Sequence, residues 1–210
     1  MAVVVHGVPG RSVSDARVGD RDSARRGAWF EKQVGAALER WLEARPETFH
    51  LFHDLCGFDR VVGAGLKPLS LGDSNIDHLV LTGNGWVMVD AKGCAAGVLR
   101  VSDGHGQVLK DDGTEVPQLW LDDAKSYARA GVPYRLTDGK AGVNVFVVPD
   151  SVKWDPDLVD EARAFSRSGA IVDVSGVRGG DLSLLFPPGQ SPADDADVER
   201  LRKYLYRPDC

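Results

Sequence analysis

Two apolar runs, Asn75-Ile76-Asp77-His78-Leu79-Val80-Leu81-Thr82 and Trp86-Val87-Met88-Val89-Asp90-Ala91-Lys92, constrain this chain more than any other stretch. Gly83-Asn84-Gly85 separates them, and an Asn-Gly between two such runs predicts a tight β-hairpin. Each run holds a carboxylate where a buried strand ordinarily excludes one. Side chains alternate along a strand, so Asp90 and Lys92 share one face while Val89 and Ala91 share the other. A lone carboxylate buried there costs roughly several kcal/mol unless a cation or donor meets it. Asp77, Asp90 and Lys92 therefore read as one site, two acidic metal ligands beside an ammonium, which is the chemistry of phosphodiester hydrolysis. An isolated Asp-x-Lys would read instead as a strand-end salt bridge. His78 faces away from Asp77 and is expected to pack or to hydrogen-bond.

Upstream, the spacing of Phe30, Val34, Leu38, Trp41 and Leu42 predicts a helix over residues 23–44, capped by Asp22 or Ser23. Glu31 lies beside its apolar stripe, with Gly27 and Gly35 one turn away on either side. Each glycine costs a helix interior about 1 kcal/mol. Close approach of the helix to a sheet, delivering Glu31 to the site, would offset that cost.

The rest of the chain reads as a strand at 48–55, a turn-prone loop at 56–74 and a second hairpin over 97–110. A helix opened by Pro117 runs to about Ala130, and Val143–Val148 forms a strand covered on both faces. A short helix over 156–167, a strand at 170–174 and a last helix at 194–206 complete it. This order fits a mixed α/β sheet flanked by helices. Residues 1–22 read as an N-terminal arm, 23–150 as the core, and 151–210 as a C-terminal extension packing on the core. The five tryptophans are expected in the core, except Trp120, a candidate for stacking on a base.

With Gly27-Ala28-Trp29-Phe30-Glu31, Ile76-Asp77-His78 and Asp90-Ala91-Lys92-Gly93, and Gly97 slightly beyond, the chain resembles the nuclease-related domain, the NERD family. This family is a branch of the PD-(D/E)xK nuclease superfamily, and the resemblance covers about residues 25 to 150. Asp90 stands where family members commonly carry Glu. The resemblance implies a restriction-endonuclease-like core and a Mg²⁺-dependent nuclease, with Mn²⁺ able to substitute. Its nucleic-acid partner would be DNA rather than RNA, and its role that of an endonuclease in DNA processing or defence. Asp77 and Asp90 would be direct metal ligands with the Ala91 carbonyl as a third. Glu31 would bind through water or help to hold a second ion, and Lys92 would orient the attacking water. Gln118 matches the glutamine of the family's later helix. Lys125 and Arg129, spaced i,i+4, could track a phosphate backbone. A catalytically silent module binding nucleic acid or protein on the same fold is the alternative.

The formal net charge of −6 runs against tight non-specific DNA binding and places any such affinity on a local basic stripe. No run approaches the roughly 18 apolar residues of a membrane span. Cys56, Cys94 and Cys210 form no Cys-x-x-Cys pair, which fits a reducing cytoplasm. The C-terminal region is a possible surface for a homodimer or a partner protein.

Overall fold

The computed structural model of the protein describes residues 3–12, 21–72, 74–102, 105–118, 124–154, 169–186 and 188–208. Its centre is a six-stranded mixed sheet in the order β1-β2-β5-β6-β10-β12. These strands are β1 (Val4–His6), β2 (His50–Leu55), β5 (Ile76–Leu81), β6 (Trp86–Ala91), β10 (Gly142–Val148) and β12 (Gly169–Asp173). β5 runs antiparallel to both β2 and β6, whereas β1, β10 and β12 join in parallel pairs.

Alternation along the strands sorts the core into two sides. Leu51, Val80, Val87, Val89, Val145 and Val147 face the long helix α1 (Arg21–Glu43), which contributes Phe30, Val34, Leu38 and Leu42. Leu79, Leu81, Trp86 and Met88 face the other side. There they meet Val132 and Leu136 of α2 (Ala124–Leu136) and Val198 and Leu201 of α4 (Asp195–Arg202). Helix α3 (Val174–Gly179) packs beside α1. A second, four-stranded sheet has the order β11-β7-β8-β9, built from β7 (Gly97–Ser102), β8 (His105–Leu109), β9 (Glu115–Pro117) and β11 (Val152–Trp154). Leu99, Val108 and Val152 of that sheet join Phe146, Val148 and Ile171 in a third cluster.

Three expectations need correction. Residues 56–74 are not simply a loop, because β3 (Val61–Gly63) and β4 (Leu66–Leu69) pair there as a hairpin. Pro117 ends strand β9 instead of opening a helix; having no N–H to give, it sits at the edge of the small sheet. Trp29 is 62% exposed, since it stands two residues from Glu31 and so on the far side of α1, among exposed Arg25, Arg26 and Lys32. The predicted helix at 156–167 and Trp120 lie outside the described residues.

The β5–β6 reversal falls one residue earlier than an Asn-Gly turn would put it. Thr82 N–H donates to Gly85 O at 2.9 Å, which centres the turn on Gly83-Asn84. The cause is tertiary: Gly83 N–H donates to Ser191 O at 2.8 Å, and Ser191 N–H donates to Asn84 Oδ1 at 3.0 Å.

Gly142 opens β10 against the Trp86 ring, and a Cβ there would lie 2.0 Å from Trp86 Cδ2. Gly142→Ala is expected to destabilise the fold by about 1–3 kcal/mol, the ordinary cost of overpacking. Urea denaturation checks this, and an unchanged midpoint would show that Trp86 yields freely.

Candidate active site

The hairpin register His78↔Val89, carried one step further, sets Asp77 across from Asp90. On the other side of β5, His53 pairs with His78 and Leu55 with Ile76, which leaves Asp54 across from Asp77. Asp54, Asp77 and Asp90 thus form a row across three adjacent strands, all three buried. Neighbouring strands lie about 4.8 Å apart, and like charges at that distance repel by roughly 3–4 kcal/mol at an effective dielectric of 20.

Each member of the row has its own partners. Lys92 Nζ lies 2.7 Å from Asp90 Oδ1, and Arg129 donates to Asp90 Oδ2 at 2.9 Å. Lys92 stays in line with β6 because its N–H donates to Val147 O at 2.8 Å. Asp77 accepts from Ala91 N–H at 2.7 Å and from Asn75 Nδ2 at 3.3 Å. Asp54 accepts from both the N–H and the hydroxyl of Ser12, each at 2.5 Å.

Charge is divided unequally along the row. Burial raises the Asp77 carboxyl well above the usual carboxylate range, and the charges of Asp90 and Glu31 add to this. Burial presses Asp90 upward as well, but Lys92 and then Arg129 outweigh it and hold Asp90 below its ordinary value. Burial and the neighbouring acids thus drive Asp77 toward its neutral form, whereas the two cations hold Asp90 toward its charged form.

Glu31 reaches this row from α1. It is 6% exposed, and its Oε2 is buried without a hydrogen-bond partner. Burial first, then the charges of Asp54 and Asp90, push its carboxyl up to about 8. The helix can come close because Gly35 has no side chain: a Cβ there would lie 3.2 Å from Pro9 and 3.3 Å from His53 Cε1. His78 faces this helix side of the sheet, away from Asp77. Its Nδ1 lies 2.8 Å from His53 Nδ1, and His53 Nε2 lies 3.2 Å from Glu39 Oε1. A carboxylate only accepts, so His53 carries its proton on Nε2 and takes the Nδ1 proton of His78. Burial keeps both rings neutral by lowering His53 to about 4 and His78 well below its ordinary value. Glu39–His53–His78 is thus a hydrogen-bonded tie between α1 and the sheet.

Asp54 is the site residue that the sequence reading missed. Its φ of +57° lies in the left-handed region, where a non-glycine residue costs about 1–3 kcal/mol. The pairing with β5 stays in register through it, yet the side that the strand presents changes: Leu51 packs toward α1, whereas Leu55, four residues on, packs on the opposite side. An acidic residue inside the apolar run of β2 was the available signal. Of the more distant expectations, Arg129 joins the row through Asp90. Lys125 lies in the first turn of α2, and its side chain is outside the described residues. Gln118 is buried beside β9, with its N–H on Gly106 O at 2.7 Å and its side-chain amide on Val116 O at 3.3 Å. It belongs to the small sheet.

The raised Glu31 carboxyl makes stability depend on pH with a definite sign. Below its ordinary value of 4.5 both states hold the proton. Between 4.5 and about 8 the unfolded chain releases it while the folded one keeps it, so stability falls as pH rises through that window. Glu31→Gln removes this slope. Relative to wild type in EDTA, the variant should match at pH 4.5 and gain about 3–5 kcal/mol by pH 9. Denaturant melts across this range check it, and parallel pH profiles would exclude it.

No curated protein and no solved structure matches the chain. The sequence profile of NERD, the nuclease-related domain, matches residues 26–130. That span begins just before the first glycine of α1 and takes in Glu31, the Asp54–Asp77–Asp90 row, Lys92 and Arg129. The chain belongs to the nuclease-related domain family.

Proposed function

We propose that the protein is a metal-dependent nuclease that hydrolyses DNA phosphodiester bonds on a restriction-endonuclease-like core. The observation that carries this reading is the Asp77–Asp90 pair, buried beside a lysine and an arginine, with the unpartnered carboxylate oxygen of Glu31 next to it. The donor set fits Mg²⁺, which takes hard oxygen ligands, one or two carboxylates, and retained waters. Among the described residues no group of three His, Cys, Asp or Glu side chains could hold a metal ion by itself, so water would have to complete the shell. Asp77 and Asp90 would hold the ion with the Ala91 carbonyl, and Glu31 would approach it through water. When bound, Mg²⁺ or Mn²⁺ supplies a water of lowered pKa and a counter-charge for the phosphoryl oxygens.

The chain's own residues do the rest. Ala91 N–H and Asn75 fix the rotation of the Asp77 carboxyl beside Asp90. Lys92, packed with its ammonium 6.0 Å from the Phe146 ring centroid, would orient the attacking water and stabilise charge on the phosphoryl group. The Arg129 guanidinium stands at the same carboxylate and would contact a substrate phosphate. The exposed Arg25, Arg26 and Lys32 of α1 provide a local basic stripe on a chain of net charge −6.

A gel assay on single-stranded, duplex and branched DNA and on RNA, with Mg²⁺, Mn²⁺ or EDTA, tests this. Wild type should cut DNA only with metal. Asp77→Asn replaces a carboxyl that burial drives toward its neutral form with its isostere, so stability in EDTA should stay within about 1 kcal/mol while cutting falls at least about 100-fold. Lys92→Ala should lose cutting likewise. Binding of the same substrates without metal-dependent cutting would make the protein a silent nucleic-acid module instead.

A further inference from the structure

We propose that the outer face of α1 is a stacking platform for unpaired bases, with Trp29 as its ring and Arg25, Arg26 and Lys32 as its phosphate contacts. This makes single-stranded DNA, or the unpaired end of a duplex, the substrate class, an extension that rests on the nuclease reading above. Trp29 is 62% exposed, more than any other large apolar side chain among the described residues, whereas Trp41 of the same helix and Trp86 are buried. A single exposed aromatic is ordinary by itself. What sets this one apart is its surroundings. Arg25, Arg26 and Lys32 stand four, three and three residues from it, and so lie within about 60° of it around the helix axis. All three are exposed. The one acid between them in sequence, Glu31, is turned inward at 6% exposure. The nearest acid of the helix on this outer side, Asp22, lies two turns away. Three cations around one indole, on a chain of net charge −6, suit a polyanion.

The ring adds a requirement that the charges do not. In a duplex each base is covered on both faces by its neighbours, so an aromatic side chain stacks only on a base that is out of the stack. Every base offers the same kind of face, so the platform reads strandedness and not sequence. It also lies beside the mouth of the site. Gly93, the exposed residue after Lys92, runs along α1, and a Cβ there would lie 3.7 Å from Phe30 Cβ. A strand resting on Trp29 therefore passes within on the order of one helix diameter, about 10–12 Å, of the end of β6.

Anisotropy of a fluorescein-labelled oligo(dT) of about 20 nucleotides, longer than the usual single-strand site, tests this against a duplex of equal length. The full chain is used in EDTA, so that no DNA is cut. Wild type should bind the single strand at least about fivefold tighter than the duplex. Trp29→Ala should weaken single-strand binding about tenfold and duplex binding less than about twofold, and Trp29→Phe should restore most of the loss. Arg25→Gln and Arg26→Gln should each lower the log–log salt slope of single-strand binding by about 0.7. Thermal melts establish that each variant folds. Failure of wild type to prefer oligo(dT), or equal binding of it by wild type and Trp29→Ala, would overturn the platform; metal-dependent cutting in the gel assay would still leave the nuclease standing. Strand-selective binding that is lost with Trp29, without any metal-dependent cutting, would support the platform and overturn the nuclease reading. A wild type that sediments as a dimer where Trp29→Ala sediments as a monomer would make this face a contact between copies of the chain and overturn the platform.

Discussion

Mutual repulsion within the Asp54–Asp77–Asp90 row is the constraint on which the rest of the site depends. Strand spacing brings the three carboxylates together whether or not their charges allow it. The surroundings then solve the problem differently at each position: two cations at Asp90, hydrogen bonds from Ala91 N–H and Asn75 at Asp77 and a serine clamp at Asp54. The elements around the row can be understood by what they bring to it. α2 supplies Arg129, the continuation of β6 supplies Lys92, and the segment after β1 supplies Ser12.

Glu31 shows how a helix on one side of a sheet can serve chemistry at its edge. The bare backbone at Gly35 admits Pro9 and the His53 ring, and the His53–His78 pair then locks the helix rotation relative to β2 and β5. The histidine that follows Asp77 in sequence thus acts on the site from behind the sheet. Its neutral, buried state suits that structural tie, in which one ring nitrogen must donate and its neighbour must accept.

Much of this was legible in the sequence, because strand alternation is a strong signal and charges inside an apolar strand are conspicuous. Asp77, Asp90 and Lys92 were readable on those grounds, and Glu31 through its flanking glycines. Asp54 was not, since a left-handed residue changes which side a strand presents without changing the pattern of letters. Trp29 was misjudged because aromatic character says nothing about which side of a helix a residue occupies. Pro117 was read as a helix start on local propensity, yet pairing with Gln107 drew it into a strand. The early turn at Gly83-Asn84 was likewise beyond local rules, being set by contacts with Ser191, more than a hundred residues away.

The parallel pairing of β10 with β6 has a further consequence. β1, β10 and β12, half the strands of the central sheet, lie outside the stretch that carries the family match. Val147 on β10 keeps Lys92 in line, and Ser12 reaches Asp54 from the other flank. The stretch of sequence that announces the family is therefore smaller than the cooperative unit that has to fold around it. An excised piece ending at either boundary would keep the acids of the site and lose the frame that holds them in place.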